Sequence, residues 1–362
     1  MRFWNRWKLL RAYLARRERL PALPLEHIVE TTATCNLYCP MCVRETYKQP
    51  KADMSDEIFE RLVGQAADSA EHMMLIGLGE PFMDPKIFDR VEYCRRHNIS
   101  SLLSTNGTFL DEAASRRLLA TGLDHITLSF DGATRESFEY YRKGARFEKV
   151  RDNFVRFAAL KHRLKARTQV VVQMVRMDRN RDEVEDFRRF WKAVEGVDQV
   201  RVKEDESNLM RPAGHPASDW KWPCHYLWRG PMYVKQDGHV YPCCQSYMLG
   251  GAPVGHVGES ALEEIWNSTE MRRMRRLHAS GRAGEIDICS RCCTTIPHPA
   301  LVAASLVFHG RTVRRLLPVV ERLAYFSRLG RGWLRPSQAV ASSEPELVQI
   351  KGPDAGSARR PP

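Results

Sequence analysis

The segment Cys35-Asn-Leu-Tyr-Cys39-Pro-Met-Cys42 places three thiols within eight residues, directly after the strand-like residues 27–32. Three thiolates can hold a four-iron cluster and leave one iron without a protein ligand, whereas a structural cluster or structural zinc normally has four protein ligands. An iron of that kind can bind and reduce a further molecule. The alternative is a zinc site completed by a nearby histidine.

The composition is that of a soluble globular protein. The chain has 362 residues, of which 43% are hydrophobic and 28% charged, which suffices for a large core and a smaller appended domain. It has no apolar run of about eighteen residues, the length of a membrane span, and no convincing secretory signal. The net charge of +12 suits nucleic acid, a membrane surface or an anionic substrate, but no nucleic-acid recognition motif accompanies it.

The cysteines are mostly grouped rather than scattered. The groups are Cys35, Cys39 and Cys42; Cys243 and Cys244; and Cys289, Cys292 and Cys293, while Cys94 and Cys224 stand alone. Grouped thiols in an α/β pattern favour metal ligation in a reducing compartment over disulfides. We therefore expect a cytoplasmic protein.

A strand-then-helix rhythm begins near residue 27. Strands are predicted near 27–32, 72–78, 100–105, 124–130, 168–175 and 198–203. Helices are predicted near 55–68, 85–97, 111–120, 134–163 (broken near Gly144) and 181–194. Such units form a parallel sheet with helices outside it. Six units are too few for an eight-stranded barrel, so we expect an α/β fold with a partial (βα)6 barrel and ligands at the carboxyl ends of its strands.

These motifs resemble the radical S-adenosylmethionine (SAM) superfamily over about residues 27–295. Cys35, Cys39 and Cys42 match its CxxxCxxC motif, with the aromatic Tyr38 before Cys39. The resemblance implies a [4Fe–4S] cluster on these thiolates, with SAM chelating the fourth iron and yielding a 5′-deoxyadenosyl radical that abstracts a hydrogen atom from a C–H bond. It also implies an external one-electron donor of the flavodoxin or ferredoxin type.

Further segments resemble the family's SAM pocket, each at the predicted end of a strand. Gly77-Leu-Gly79-Glu80-Pro81 resembles the GGEP loop that receives the methionine ammonium, with Leu78 in place of the middle glycine. The other pocket residues implied by the resemblance are Ser104, Asn106, Ser129, Asp131, Arg142 and Gln173.

A second cysteine unit resembles the SPASM type of auxiliary domain in its shortened "twitch" form. The resemblance assigns Cys224, Cys243, Cys289 and Cys292 as the four ligands of one auxiliary [4Fe–4S] cluster. Four thiolates complete such a cluster, so its role would be electron transfer. A structural staple and a zinc site are the alternatives, and Cys244 or Cys293 could replace its neighbour.

The pattern divides the chain into six segments. They are a basic amphipathic helix (1–24), the radical SAM core (25–206), a linker (207–219), the auxiliary unit (220–296), an amphipathic helical segment (297–336) and a disordered tail (337–362). In the first segment Phe3, Trp7, Leu10 and Leu14 recur at helical spacing among basic residues. This face either packs on the barrel or lies on an anionic membrane surface.

The sequence is consistent with three functions. The first is oxidation or epimerisation of a small carbohydrate-like or lipid-linked substrate, with the auxiliary cluster as electron relay. The second is crosslinking or epimerisation of a ribosomal peptide. The third is a zinc-bound, basic interaction protein that is not an enzyme. The residues do not name a catalytic acid or base.

Overall fold

The computed structural model describes residues 2–45, 51–204, 222–292 and 299–307. The predicted linker 207–219, the predicted tail 337–362, most of segment 297–336 and Cys293 lie outside these residues.

The strand and helix rhythm predicted from the sequence is present. The strands are β1 (Glu26–Val29), β2 (His72–Leu75), β3 (Ser100–Thr105), β4 (His125–Ser129), β5 (Gln169–Arg176), β6 (Gln199–Glu204), β7 (Met232–Val234), β8 (His239–Tyr241) and β9 (Gly255–His256). The helices are α1 (Arg2–Leu14), α2 (Asp56–Ala66), α3 (Ile87–Arg96), α4 (Glu112–Ala120), α5 (Arg135–Tyr141), α6 (Phe147–Arg163), α7 (Val184–Ala193), α8 (Tyr226–Arg229), α9 (Cys244–Met248), α10 (Leu262–Trp266), α11 (Thr269–Ala279), α12 (Asp287–Ser290) and α13 (Pro299–Val307).

The strands form one nine-stranded sheet in the order β6-β5-β4-β3-β2-β1-β7-β8-β9. Strands β1 to β6 pair in parallel with their neighbours. The sheet ends at β6 and at β9, so it is open, which confirms the partial (βα)6 architecture. The first strand of the auxiliary unit, β7, pairs in parallel with β1, and β8 and β9 then continue antiparallel. The auxiliary unit therefore extends the same sheet.

The two faces of the sheet carry different side chains because successive residues of a strand point to opposite faces. Val29 of β1 and Val234 of β7 join the main core, which also contains the buried residues of the surrounding helices. Ile28 and Tyr233, which alternate with them, belong to a second, smaller cluster with Leu78 and Tyr247. This second cluster lies on the inner face of the sheet.

Local signals explain where several helices begin and end. The Ser55 side chain accepts a hydrogen bond from the backbone N–H of Ile58 at 3.2 Å and caps α2, as its position before an acidic first turn predicts. The expected break near Gly144 separates α5 from α6. Gly144 has φ +103°, a conformation that favours glycine.

The prediction that Phe3, Trp7, Leu10 and Leu14 share one face of α1 is wrong. Leu10 is buried, but Phe3, Trp7 and Leu14 are 68%, 47% and 60% exposed. The helix is rotated because Arg6 turns inward, where its Nη2 donates to Oε2 of the buried Glu71 at 2.7 Å. A guanidinium with a carboxylate partner can be buried, and hydrophobic periodicity does not register such pairs.

Leu9, Leu10 and Tyr13 form the buried face of α1 beside Arg6. Trp4 is 63% exposed and adds a further aromatic side chain to the outward face. None of the described helices is long and apolar enough to cross a bilayer.

We predict that stability falls in acid through His27 on β1. His27 is 0% exposed, and burial lowers its pKa from 6.5 to about 4. The unfolded chain therefore binds a proton at His27 below about pH 6.5, while the folded chain does so only near pH 4. Stability from neutral His27 is present above pH 6.5 and is lost as the pH falls through this window, by on the order of 3 kcal/mol.

Urea unfolding of His27→Leu and of the unaltered protein, measured at pH 7 and pH 4.5, tests this. The variant should lose less stability on acidification. As a control, His162→Leu removes a histidine whose side chain is 57% exposed and should leave the pH dependence unchanged. An equal acid loss in all three proteins would contradict the prediction.

Candidate functional site

The three thiols of the CxxxCxxC motif lie on the loop that follows β1, at the carboxyl end of the sheet. The loop is held by its own backbone and by Arg44. The backbone N–H of Cys42 donates to the Cys39 carbonyl at 3.0 Å, and Arg44 Nη2 donates to the Leu37 carbonyl at 2.5 Å. The Asn106 amide, from the loop after β3, approaches Cys35 Sγ at 4.0 Å. The thiol loop thus contacts the next loop along the sheet edge.

The electrostatics of the loop fit a metal cluster. Burial raises the pKa of Cys39 to about 11, against the opposing effect of the nearby Arg142 guanidinium. Burial also raises the pKa of Cys35, and the Cys42 thiol acts in the same direction on both Cys35 and Cys39. Metal binding requires thiolates and releases their protons, so a cation is the natural partner of this group.

The donor set suits the cluster, although the side chains are not already gathered around one point. Among the residues that the structure describes, no three His, Cys, Asp or Glu side chains are arranged around a single metal ion. Cysteine has one side-chain rotation that moves its sulfur, and the three thiols share one short loop. We conclude that Cys35, Cys39 and Cys42 fit the [4Fe–4S] cluster by donor type and proximity along the chain.

Glu80 connects the loops that follow β2 and β3. Its side chain is buried, and Oε1 accepts from the Thr105 hydroxyl at 2.6 Å while Oε2 accepts from the backbone N–H of Asn106 at 2.8 Å. Burial raises the pKa of Glu80, and these donors act in the opposite direction. Pro81, the next residue, begins a single 3-10 turn. Two predicted pocket residues, Glu80 and Asn106, are therefore in direct contact.

The two glycines of this loop are needed for close approach. A Cβ on Gly79 would lie 2.1 Å from the Thr32 carbonyl oxygen, and a Cβ on Gly77 would lie 2.5 Å from Glu30 Cγ. No side chain can be added at either position without moving the loop away from the end of β1. The segment from 77 to 81 therefore packs directly on the strand that leads into the thiol loop.

Glu30 was missed by sequence reasoning. It is 0% exposed, and its Oε1 accepts from the backbone N–H of Leu78 at 2.8 Å, which fixes the loop that contains Gly77. Burial raises its pKa, and the neighbouring Tyr233 hydroxyl lowers it. An acidic residue inside an otherwise apolar strand was the available signal, because a buried carboxylate needs hydrogen-bond partners.

Other predicted pocket residues line the inner face of the sheet. Ser104 Oγ and Ser129 Oγ are 3.3 Å apart, and Ser129 is in register with Gln173 on β5. Gln173 is in turn in register with Arg201 on β6, which sequence reasoning did not single out. The result is a row of hydroxyl, amide and guanidinium groups across four strands.

Asp131 and Arg142 form a buried ion pair. Arg142 Nη2 lies 2.5 Å from Asp131 Oδ2, and Asp131 Oδ1 accepts from the backbone N–H of Val175 at 2.7 Å. The guanidinium also lowers the pKa of Cys39. Arg142 therefore sits between the loop after β4 and the thiol loop, beside the predicted cluster.

The auxiliary cysteines are brought together by β7, β8 and the helices after them. Burial raises the pKa of Cys224, Cys243 and Cys289. The Cys292 thiol acts in the same direction on Cys224 and Cys289, and Cys224 and Cys289 do so on Cys243, so the four lie near each other. Cys244 also acts to raise the pKa of Cys224 and Cys243, and it packs against the inner cluster that contains Tyr233 and Tyr247. The assignment of Cys243 rather than its neighbour Cys244 as the ligand therefore stays a prediction.

Buried tyrosines on the inner face of the sheet lie near Glu30 and Cys244. The Tyr233 and Tyr247 rings are stacked with centroids 4.7 Å apart. Tyr233 neighbours Glu30, the residue that follows β1. Tyr247 lies on α9, and the sulfur of Cys243 caps the start of that helix. Burial raises the pKa of Tyr233 well above its usual value.

A separate groove lies between α6 and α7. It encloses about 750 Å³ and is lined by residues such as Val155, Phe190 and Val194. None of the predicted site residues lines it, so the groove is unrelated to the thiol chemistry.

Family models match both halves of the described architecture. The model described as "Radical SAM superfamily" matches residues 29–190, and the SPASM model, described as "Iron-sulfur cluster-binding domain", matches residues 224–293. The fold and the thiol loop define an α/β enzyme that binds its cofactor at the carboxyl ends of a partial barrel. The chain belongs to the radical SAM superfamily and carries a SPASM-type domain, so its cofactors are a [4Fe–4S] cluster with SAM and auxiliary iron–sulfur. This excludes the non-enzymatic zinc protein.

Two curated proteins are similar to this chain in sequence. PqqA peptide cyclase of Gluconobacter oxydans is 27% identical over 296 residues, which cover 71% of this chain and 80% of that protein. The tungsten-containing aldehyde ferredoxin oxidoreductase cofactor-modifying protein of Pyrococcus furiosus is 30% identical, but over only 28% of this chain and 30% of its own length. The chain therefore spans most of the first relative and about a third of the second.

Solved structures have the same fold. BtrN in complex with AdoMet and 2-DOIA has a TM-score of 0.52 and 18% identity, covering 75% of this chain and 94% of BtrN. SuiB of Streptococcus suis bound to the precursor peptide SuiA has a TM-score of 0.57 and 14% identity, covering 73% and 69%. At these identities the likeness establishes the fold.

We predict that Glu80→Gln weakens SAM binding by about tenfold or more. The neutral amide can accept at only one oxygen, so a donor from Thr105 or Asn106 loses a charged partner, a loss of roughly 1.5–3 kcal/mol. Anaerobic calorimetric titration of SAM into reconstituted protein measures the affinity.

Glu112→Gln is the matched control, because Glu112 lies at the exposed start of α4 and pairs only with Arg116 among the contacts described for it. It should bind SAM normally. Equal affinity of Glu80→Gln and the unaltered protein would show that the loop contact is dispensable.

Proposed function

We propose that the protein modifies a carbon centre of a peptide substrate by hydrogen-atom abstraction, with an auxiliary cluster as electron relay. The observation that carries the proposal is the contact between the thiol loop and the loops after β2 and β3, through Glu80, Asn106 and Cys35. When bound, the cluster and SAM supply the radical that takes the hydrogen atom. The protein's own task is to hold these groups in place and exclude water.

The residues have distinct roles in this proposal. Cys35, Cys39 and Cys42 hold the SAM-binding cluster, and Glu80 with Asn106 fixes the loop beside it. The inner row of Ser104, Ser129 and Gln173 faces the space at the carboxyl ends of the strands and offers hydrogen bonds to SAM or substrate. The four auxiliary ligands proposed are Cys224, Cys243, Cys289 and Cys292. An external flavodoxin or ferredoxin provides the reducing electron.

The peptide substrate is favoured by the relatives. PqqA peptide cyclase, a peptide-modifying enzyme by name, aligns with 71% of this chain, and SuiB is bound to a precursor peptide in its solved structure. This support outweighs the expectation of a carbohydrate-like substrate. That expectation came from the match between one auxiliary cluster and a two-electron oxidation, in which the cluster takes the second electron.

A small polyhydroxylated or lipid-linked molecule is the second candidate. The row of hydroxyl, amide and guanidinium groups at Ser104, Ser129, Gln173 and Arg201 would suit several hydroxyl groups of one ligand. Alcohol oxidation removes a hydrogen atom, a proton and an electron, and the auxiliary cluster would accept that electron.

Deuterium transfer separates these candidates. The reconstituted protein is incubated with SAM, a reductant and a deuterated candidate substrate. The candidates are the peptides that neighbouring genes encode and the sugars that the enzymes of neighbouring genes make. Mass spectrometry then detects deuterium in 5′-deoxyadenosine. Transfer from a peptide supports the proposal, and transfer only from a sugar or lipid-linked sugar supports the second candidate. Protein without iron, or without SAM cleavage, refutes both.

We predict that the two thiol groups fail differently when cysteines are replaced. Cys39→Ala should abolish 5′-deoxyadenosine formation, because the remaining thiolates cannot hold the SAM-binding cluster. Cys289→Ala should leave uncoupled SAM cleavage partly intact while product formation is lost. Chromatographic assay of 5′-deoxyadenosine and product measures both, with iron content expected near eight per chain before substitution, about four for each cluster.

Cys94→Ala serves as the control. Cys94 lies on α3 and is fully buried in the main core, so this variant should keep both its iron and its activity. Equal loss of cleavage and product in Cys289→Ala would argue against the electron relay.

We also propose that the outward face of α1 contacts an anionic membrane surface. Phe3, Trp4 and Trp7 are exposed together, with Lys8 and Arg11 exposed on the same helix. Aromatic rings favour the bilayer interface, and basic side chains favour anionic headgroups. Peripheral binding of this kind would bring the protein to a lipid-linked substrate.

We predict that replacing Phe3, Trp4 and Trp7 with Ser weakens binding to phosphatidylserine vesicles by about tenfold or more, because apolar area is no longer transferred from water. Vesicle co-sedimentation measures it. Phe190→Ser removes an aromatic side chain that is 44% exposed on α7 and should bind normally. Binding that is undiminished in the α1 variant would rule out this surface.

A further inference from the structure

His278, on α11, contacts two of the four proposed auxiliary ligands. Its Nδ1 accepts a hydrogen bond from the backbone N–H of Cys224 at 3.3 Å, and its Nε2 lies 3.4 Å from Cys289 Sγ. These cysteines are 65 residues apart in sequence, so one imidazole connects the first and third ligands. The ring is 4% exposed.

The contact with Cys224 determines which ring nitrogen carries the proton. A backbone N–H can only donate, so Nδ1 must be the unprotonated nitrogen. The proton of the neutral ring is then on Nε2, which faces Cys289 Sγ. The geometry therefore makes His278 a donor to the sulfur.

The position of the ring is fixed by its helix. Arg275, one turn earlier on α11, is 0% exposed and donates to the carbonyls of Leu227, Glu18 and Trp266 at 2.6, 3.0 and 2.7 Å. The bond to Leu227 attaches α11 to the segment that begins at Cys224, and the other two attach it to Glu18 and to the end of α10. His278 thus has little freedom to leave the thiols.

We propose that His278 is a positioning residue that donates an Nε2–H···Sγ hydrogen bond to the Cys289 thiolate and raises the reduction potential of the auxiliary cluster. A hydrogen bond to a cluster sulfur stabilises the more negative, reduced state, and such bonds tune cluster potentials. A higher potential favours acceptance of an electron from the substrate. The proposal rests on the auxiliary-cluster assignment in the proposed function.

The test uses full-length protein in which Cys35, Cys39 and Cys42 are replaced by Ala, so that only the auxiliary cluster remains. Its midpoint potential is measured by redox titration monitored by electron paramagnetic resonance. His278→Phe should keep about four iron atoms per chain and lower the equilibrium constant for reduction about tenfold, which is about 59 mV for one electron. His278→Gln, whose amide can still donate to the sulfur, should recover most of the loss.

His97→Phe is the control, because His97 bonds the Tyr93 carbonyl through Nδ1 at the end of α3 and should not change the potential. An unchanged potential in iron-loaded His278→Phe overturns the proposal alone. Loss of iron in that variant also overturns it, because His278 would then be needed to hold the cluster rather than to tune its potential. A parent protein with zinc or without iron overturns the auxiliary-cluster assignment itself.

Discussion

The arrangement of the thiol loop and the loops beside it depends on one buried carboxylate, that of Glu80. A buried carboxylate is costly unless hydrogen bonds satisfy it, and here the donors come from Thr105 and Asn106 of the next loop. Asn106 in turn donates to Asn36 Oδ1 at 3.0 Å, inside the CxxxCxxC segment. The chain of contacts therefore runs from the end of β2 through the end of β3 to the thiol loop. A loop that carries three cysteines would otherwise have few internal constraints.

A second constraint is the pairing of β7 with β1. Because β7 follows Cys224 and precedes Cys243 in the chain, its register beside His27 and Val29 sets where the auxiliary thiols stand relative to the first thiol loop. The same register turns Tyr233 toward Glu30 on the inner face. Tyr233 stacks there on Tyr247, and Cys244 packs against the same cluster.

Local patterns predicted much of this fold, and long-range pairing explains what they missed. Strand and helix positions followed from periodicity and from residues such as Ser55 and Gly144, whose effects act within one turn. The outward face of α1 was predicted wrongly because Arg6 forms a buried ion pair with Glu71, which is 65 residues away in the sequence. Glu30 and His278 were missed for the same reason, since their partners lie in distant segments. The motif cysteines were identifiable because their spacing is itself local.

The N-terminal segment joins the two units rather than standing apart from them. Arg6 pairs with Glu71 before β2, whereas the Tyr13 hydroxyl donates to the Pro223 carbonyl beside Cys224 at 3.4 Å. Asn267 exchanges two hydrogen bonds with the backbone of Leu20, at 2.8 and 3.1 Å. One end of the segment is thus fixed to the barrel and the other to the auxiliary unit. Because electron transfer weakens steeply with distance, a segment that fixes these two units against each other also fixes the efficiency of any relay between their clusters. The rotation of α1 that buries Arg6 also turns the aromatic side chains of the helix outward. The attachment of α1 to the barrel and the proposed membrane surface therefore depend on the same ion pair, between Arg6 and Glu71.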